Sequence, residues 1–441
     1  MFTLQKTAVI CGFLLAAQCM AETHYVVTNG TPGWTGAVDP YTNWATAGTN
    51  IIDVVNAAMT NTEPRLVLVS NGVYYLTNQV QVTNALTIRG VNGRDGTIVD
   101  GGYGMPANNY GGCFYLTNAV LDGLTITNGM AKQGGGIYAR GGTIIQHCRI
   151  TGCIATNDVD DNAMGGGIRA NYNSVITNCE IVGNTCYNIY AGGAYLIHGA
   201  LITHCLIASN HAYLHKLTGY SEARGAGLAL QYSAIAENCE IYGNVAHVTR
   251  EGCQGWGGVE LGNGGTIRNS LVYNNTGITG GGICIYYTWG VIQNCTVVSN
   301  TGAGIWCAVK SNLTGYIENT ISYLNTASAG STRSNIRYNI TSYYTGSYHI
   351  VNSCIAPTND FPTSGIQGYY YADNIESDPN FAGKDVGNWR LANDSPCVNA
   401  GTNQDWMTNS VDFDGRARIR YGTVDMGAFE RIHEGVIYRF H

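Results

Sequence analysis

Along most of the chain, apolar residues recur at alternate positions in short bursts, and each burst is closed by glycine or asparagine. "SVITNCEIVGN" and "GVIQNCTVVSN" show the pattern: a few residues of period two, a turn, a few more, another turn. Period two over so few residues predicts short half-buried strands, not helices. The bursts are themselves repeated, as in "GGGIYARGGTIIQHCRITGC", "GGGIRANYNSVITNCEIVGNT", "GAGLALQYSAIAENCEIYGNV" and "GGGICIYYTWGVIQNCTVVSNT". Three marks fix the frame. The apolar residue after the glycines is Ile137, Ile168, Ala194, Leu228, Val259, Ile283 and Ile305 in successive copies. The second mark is Cys148, Cys179, Cys205, Cys239, Ser270, Cys295 and Thr320; the third is Cys153, Asn184, Asn210, Asn244, Asn275, Asn300 and Asn325. First and second marks stand 11 residues apart five times running, then 12 and 15, and the third follows the second by five every time. Such a repeat predicts a solenoid, with each residue above its counterpart in the coil before. Coils of short strands make a parallel β-helix.

Each column has a physical reason. Glycine bends where a Cβ would clash. Asparagine tolerates the left-handed conformation and stacks its amides into a column. Cysteine, small and apolar when buried, fills a narrow interior position. One cysteine per coil does not supply the clustered Cys/His pairs of a metal site, so packed thiols are expected. "TNIIDVVNAAM" is the one helical pattern, with Ile51, Ile52, Val54, Val55 and Ala58 on its apolar side, and predicts a helix capping the first coil.

Composition narrows the functional classes. Charged residues are 12% of the 441, while Gly (59) and Tyr (30) are heavily used and Pro (8) is scarce, as befits an ordered, glycine-punctuated β protein. The net charge of -7 and the absence of a Lys/Arg run argue against nucleic acid as a partner. "MFTLQKTAVICGFLLAAQCMAE" combines Lys6, an apolar run and Ala21, and reads as a signal peptide over 1–21. The expectation is a secreted or cell-surface monomer, with no transmembrane segment. Its parts are an N-terminal cap over 22–64, the β-helix over 65–368 and a C-terminal capping, anchor-like segment over 369–441.

The coils resemble right-handed parallel β-helix proteins of the pectin-lyase-like superfamily. "GGGI" paired with "IVGN" or "VVSN" is similar to the repeat of polymorphic outer-membrane proteins. "DPNFAGKDVGNWRLANDSPCVNAGTN" followed by "DFDGRARIRYGTVDMGAFE" resembles the C-terminal region of choice-of-anchor proteins. The resemblance implies an all-β, right-handed parallel β-helix solenoid with a short N-terminal capping helix, and assigns no catalytic residue.

The copies differ after the third mark. The interval to the next first mark is 15, 10, 18 and 15 residues, then 8 and 5. Insertions at one coil position project from one edge and line the expected binding face. Charge follows length: the insertion after Cys153 holds Asp158, Asp160 and Asp161, a candidate Ca²⁺ site. The one after Asn210 holds His211, His215, Lys216, Glu222 and Arg224, and the one after Asn244 holds His247, Arg250 and Glu251. Strand alternation turns outward Tyr138, Arg140, Arg169, Asn171, Tyr195, Gln231, Glu260, Tyr286 and Trp306. With Trp256 beside them, such residues suit an extended sugar chain: rings stack on sugar faces while Arg and Asn bond hydroxyls or carboxylates.

Two functions follow. One is a non-catalytic rod binding extended polysaccharide or a cell-surface glycan along this face and edge. The other is a polysaccharide-active enzyme, first a Ca²⁺-dependent uronate lyase. There Lys216, Arg224, His247 or Arg250 would act as base or clamp. A hydrolase would draw its two carboxylates from Glu222, Glu251 and Glu260.

Overall fold

The computed structural model describes residues 22–61, 65–103, 110–156, 163–187, 189–214, 222–248, 253–327, 334–356 and 365–431. Among them the chain winds into a parallel β-helix of three long sheets. Each coil contributes to all three. In one, Ile144–Gln146 joins the first sheet, Arg149–Thr151 the second, and Ile154–Ala155 and Ile168–Ala170 both join the third. The repeat frame is the register: Ile137 pairs with Ile168, then Ala194, Leu228, Val259, Ile283 and Ile305 in succession. Ile145, Ile176 and Ile202 stack likewise in the first sheet, wholly enclosed. Each buried Ile contributes about 1.5–3 kcal/mol. A one-residue slip would turn the whole column to solvent, so the register is strongly set.

Two turn columns hold the coils together. At the first, the backbone N–H of Cys148 donates to Cys179 Sγ (3.4 Å), and that of Cys179 to Cys205 Sγ (3.4 Å). Farther along, Cys239 N–H donates to Ser270 Oγ (3.1 Å) and Cys295 N–H to Thr320 Oγ1 (3.4 Å). Each thiol or hydroxyl donates in turn to the carbonyl two residues back. The column thus selects a small side chain that both accepts and donates, which explains why Ser and Thr replace Cys. Cys148, Cys179, Cys205, Cys239 and Cys295 are buried and form no disulfide. Burial pushes the Cys239 and Cys295 thiols up to about 12.

At the second turn, Asn210 Oδ1 accepts from the N–H (3.0 Å) and Nδ2 (3.1 Å) of Asn184, while its own Nδ2 donates to Ile181 O (2.9 Å) and Asn244 Oδ1 (3.0 Å). The same pattern continues through Asn275 and Asn300 to Asn325. Here one expectation is corrected. The left-handed residue is the one before the ladder Asn: Gly183, Ser209, Gly243, Asn274, Ser299 and Leu324. The ladder Asn serves by its amide alone.

The helix Ile51–Met59 begins at Asn50, whose side chain accepts from Ile52 N–H (2.9 Å), and buries Ile51, Val54, Val55 and Ala58. These close the first end of the core against Val26, Val67 and Val80. At the other end, Tyr369–Ala372 is the last strand of the first sheet. The chain after it folds back along the outer side of the second sheet, packing Phe381, Trp389, Leu391 and Phe429 over Leu271, Val298 and Ile321. Buried Arg418 fixes this segment: it donates to Asn269 Oδ1 (3.0 Å) and Asp425 O (3.1 Å) and lies 3.4 Å from Glu430.

The third sheet forks. In the late coils one continuous strand, Thr276–Tyr287 or Thr301–Val309, runs across it. In the earlier coils the insertion divides that strand into two arms, one after the Asn column and one after the glycines. The returning ends of the insertions form a small parallel sheet of their own: Ala163–Met164, Ile189–Tyr190, Glu222–Arg224 and Gln254–Gly255.

Candidate functional site

The stem of the insertions is built from alanine. Ala223 and Ala226 pack on Ala212 and Ala246, and Ala163 on Ala155 and Cys186, so the small sheet lies close against the first arm. Small side chains permit that approach, and the result reassigns several expected site residues. Glu222 and Arg224 are strand residues of the stem, not loop residues. Arg224 Nε donates to Glu222 Oε2 (2.7 Å) and Nη1 to Tyr190 OH (2.5 Å), and the guanidinium lies 4.7 Å from the Tyr286 ring centre and 6.0 Å from that of Trp256. Tyr286 OH donates to the other Glu222 oxygen (2.5 Å). Beneath them Gln231 Nε2 donates to Glu260 (3.2 Å) and Gln231 Oε1 accepts from Tyr195 OH (3.0 Å). Burial pushes Glu260 up to about 7, against the pull of the Arg224 charge and the Gln231 bond.

The expected outer face is therefore largely covered. Trp256 is 0% exposed, Glu260 1%, Asn171 3%, Tyr195 4%, and Tyr138 and Gln231 6%. Tyr286 and Trp306 are buried as well. Asn171 Nδ2 donates to Tyr138 OH (2.9 Å), while Arg169 sits 5.4 Å from the Tyr138 ring and 5.7 Å from that of Tyr195. Alternation did send these side chains away from the axis, but the stem lies over them. They join insertion to coil, and their rings are spent on one another. Arg140 is half-buried, bonded to Tyr115 OH (3.3 Å). Asp158, Asp160, Asp161, Lys216, Arg250 and Glu251 lie outside the described residues, as does His215.

His247 has a different setting. It ends the strand Val245–His247 at the root of the third long insertion, and it stacks on Tyr213 with ring centres 4.1 Å apart and planes within 4°. Tyr213 stacks in turn on Tyr187 (5.3 Å). The three are in register on consecutive coils of the first arm, half-buried and on its outer side. Two residues before Tyr213, His211 Nδ1 lies 3.0 Å from His247 Nε2. Burial lowers the pKa of both, and the His211 charge lowers that of His247 further. The pair is thus neutral near pH 7, one ring donating and the other accepting. "TCY", "HAY" and "VAH", each just after the Asn column, carried this signal at matching positions. Among the described residues no group of three His, Cys, Asp or Glu is placed to hold a metal ion.

Comparison with known proteins agrees with this architecture. A family model described as the right handed beta helix region matches residues 69–327. The chain belongs to the right-handed β-helix family. Among solved structures this β-helix is similar to pectate lyase Pel9A, with TM-score 0.50 and 16% identity over 93% of this chain and 96% of that one. Other similar structures are XylC in complex with xylose (TM-score 0.45, 9% identity, 94% and 99% covered) and pectin methylesterase PemA from Erwinia chrysanthemi (0.32, 13%, 84% and 98%). At 16% identity the likeness to Pel9A is one of fold. No curated protein sequence matches the chain.

Proposed function

We propose that this is an exported β-helix protein that binds an extended polysaccharide along its insertion edge without turning it over. The observation that carries the reading is the ladder Tyr187, Tyr213 and His247, half-buried, in register and at the roots of polar insertions. Rings stacked on one another use their faces within the protein and present their edges. The ligand would therefore meet a row of phenol and imidazole groups at steps of about 4.8 Å. Such a row hydrogen-bonds the hydroxyls of a chain lying along the solenoid axis and shares affinity among several groups. The leader-like first 21 residues and the anchor-like C-terminal resemblance support a place outside the cell or at its surface.

One observation favours a second reading, a polysaccharide lyase. A neutral imidazole held by a second imidazole is a competent base for the proton beside a uronate carboxylate. A panel of acidic and neutral polysaccharides, assayed for binding and for ultraviolet absorbance of unsaturated ends, separates the two. Binding that Tyr213→Ala weakens, with no product formed, supports the binding protein. Product formation abolished by His247→Ala supports the lyase.

A further inference from the structure

The opposite corner of the third sheet, where each coil turns into the first sheet, carries a second row of aromatic residues. Tyr172, His198 and Tyr232 occupy one turn position in three consecutive coils, stacked at 5.2 and 5.0 Å between ring centres. All three are exposed, Tyr172 by 47% and Tyr232 by 48%. The Arg140 guanidinium covers the outer face of Tyr172 at 5.4 Å. Beyond Tyr232 the row continues through Asn263 to Trp289, whose ring lies against Gly264. It ends at Lys310, 3.9 Å from the centre of the Tyr287 ring and 4.7 Å from that of Tyr343. Tyr343 OH donates to Tyr287 OH (2.6 Å), and both rings are exposed.

Two features set this row apart from ordinary surface. The first is backbone strain. Tyr172, His198 and Tyr232 hold φ of 50°, 54° and 51°, the left-handed region, which His enters more readily than most residues but which Tyr rarely adopts. The neighbouring coils fill the same turn with Gly141 and Asn263, at φ of 63° and 49°, and those residues enter that region at lower cost. Aromatic residues thus stand where folding alone favours Gly or Asn.

The second feature is charge. The protein as a whole is at -7, yet segments 140–143, 171–174, 197–200, 231–234, 262–265, 287–290, 309–314 and 338–346 contain no Asp or Glu. They do contain Arg140 and Lys310, which mark the two ends of the row, with the amides of Asn173 and Asn263 between them. Arg140 and Lys310 stand six coil steps apart, about 29 Å at ~4.8 Å per step. This is a long, narrow, acid-free strip with cations at its ends on an otherwise acidic molecule.

We infer that this corner is a second glycan-binding strip, selective for a linear acidic polysaccharide lying along the solenoid axis. It is separate from the insertion edge and does not depend on the ligand proposed there. The aromatic edges and amides meet hydroxyls, and Arg140 and Lys310 meet the negative groups of the chain.

The test is calorimetric titration with short oligogalacturonides and, for comparison, neutral gluco-oligosaccharides. The parent protein is set against Tyr172→Asn/Tyr232→Asn and Arg140→Gln/Lys310→Gln. Because Asn suits the left-handed turn, the first double variant is expected to melt no lower than the parent while binding oligogalacturonide at least tenfold more weakly. The second is expected to lose the preference for the acidic ligand and to flatten the salt dependence of binding. The proposal is overturned if the parent does not bind oligogalacturonide, or if both double variants bind within twofold of the parent. It is also overturned if the first variant loses stability without losing affinity. Loss of binding confined to Tyr213→Ala or His247→Ala would contradict this strip and leave the insertion edge standing.

Discussion

The coils from Ile137 to Val259 and those from Ile283 to Ile305 share one frame, one core and the same two hydrogen-bonded columns, yet their third sheets differ. In the late coils a connection of 8 or 5 residues lets the strand run unbroken through Thr276–Tyr287 and Thr301–Val309. In the early coils the insertion forces a fork and returns as a small sheet between the two arms, packed on the alanine side of the first arm and over the outward side of the second, so that only the first arm's opposite side, with its aromatic and imidazole edges, stays half open. Insertion length, with no change in the core, thus decides which outward residues are covered and which stay half open. The second sheet shows the converse. Its early outer face holds ion pairs, Arg149–Glu180 (2.6 Å) and Arg94–Glu180 (2.5 Å), whereas its late outer face is apolar and lies under the C-terminal segment.

The largest effect is expected where the late coils depend on that covering segment. Arg418→Ala leaves Glu430 and its neighbouring carboxylates buried without their cation, and should cost about 3–5 kcal/mol in urea unfolding. Next comes the shared column: Asn210→Ala removes four hydrogen bonds, strands the N–H of Asn184, and should cost about 3 kcal/mol by the same measurement.

Proton linkage sharpens the contrast between the two regions. Glu260 in the early coils has its folded pKa raised from 4.5 to about 7, so the unfolded chain releases the proton first as pH rises. Its contribution is fully present below pH 4.5 and is lost as pH climbs through 7. Glu430 in the late coils behaves likewise up to about 8. Glu260→Gln should remove the lower part of this pH dependence, stabilising the protein above pH 7 by about 3 kcal/mol relative to its effect at pH 4. Melting curves across that range check the sign. The smallest effect is Cys179→Ser, expected to change stability by less than about 1 kcal/mol. Ser270 already makes the same pair of bonds in its own coil.

These contrasts also mark what the sequence reveals. Register was legible because 11- and five-residue spacings leave one way to stack the copies, and Ile137 to Ile305 pair as their spacing implies. The cysteine column was legible as a buried column of small side chains, but not its hydrogen bonding: Ser270 and Thr320 stand in the frame because the position both accepts and donates. Covering was not legible. Alternation states that Tyr195 and Glu260 turn away from the axis, but it does not state that Tyr190 and Arg224 return over them. A clue lay in the outward series Tyr195, Ala229, Glu260, Cys284 and Trp306, in which one carboxylate stands among residues too apolar for a solvated face. The proposed ligand edge was half legible: His247 stood out, but its partners His211 and Tyr213 fell within what reads as a loop.

The claim that matters most is that the open side of the first arm, and not the covered side of the second, meets ligand at the insertion edge. Calorimetric binding of the best polysaccharide from the panel should therefore be compared between the parent, Tyr213→Ala/His247→Ala, and Tyr195→Phe/Gln231→Leu. The account predicts that the first pair loses roughly tenfold or more in affinity with its melting temperature nearly unchanged, while the second loses stability and keeps its affinity. Unchanged affinity in the first pair, or a matching loss in the second, would contradict it.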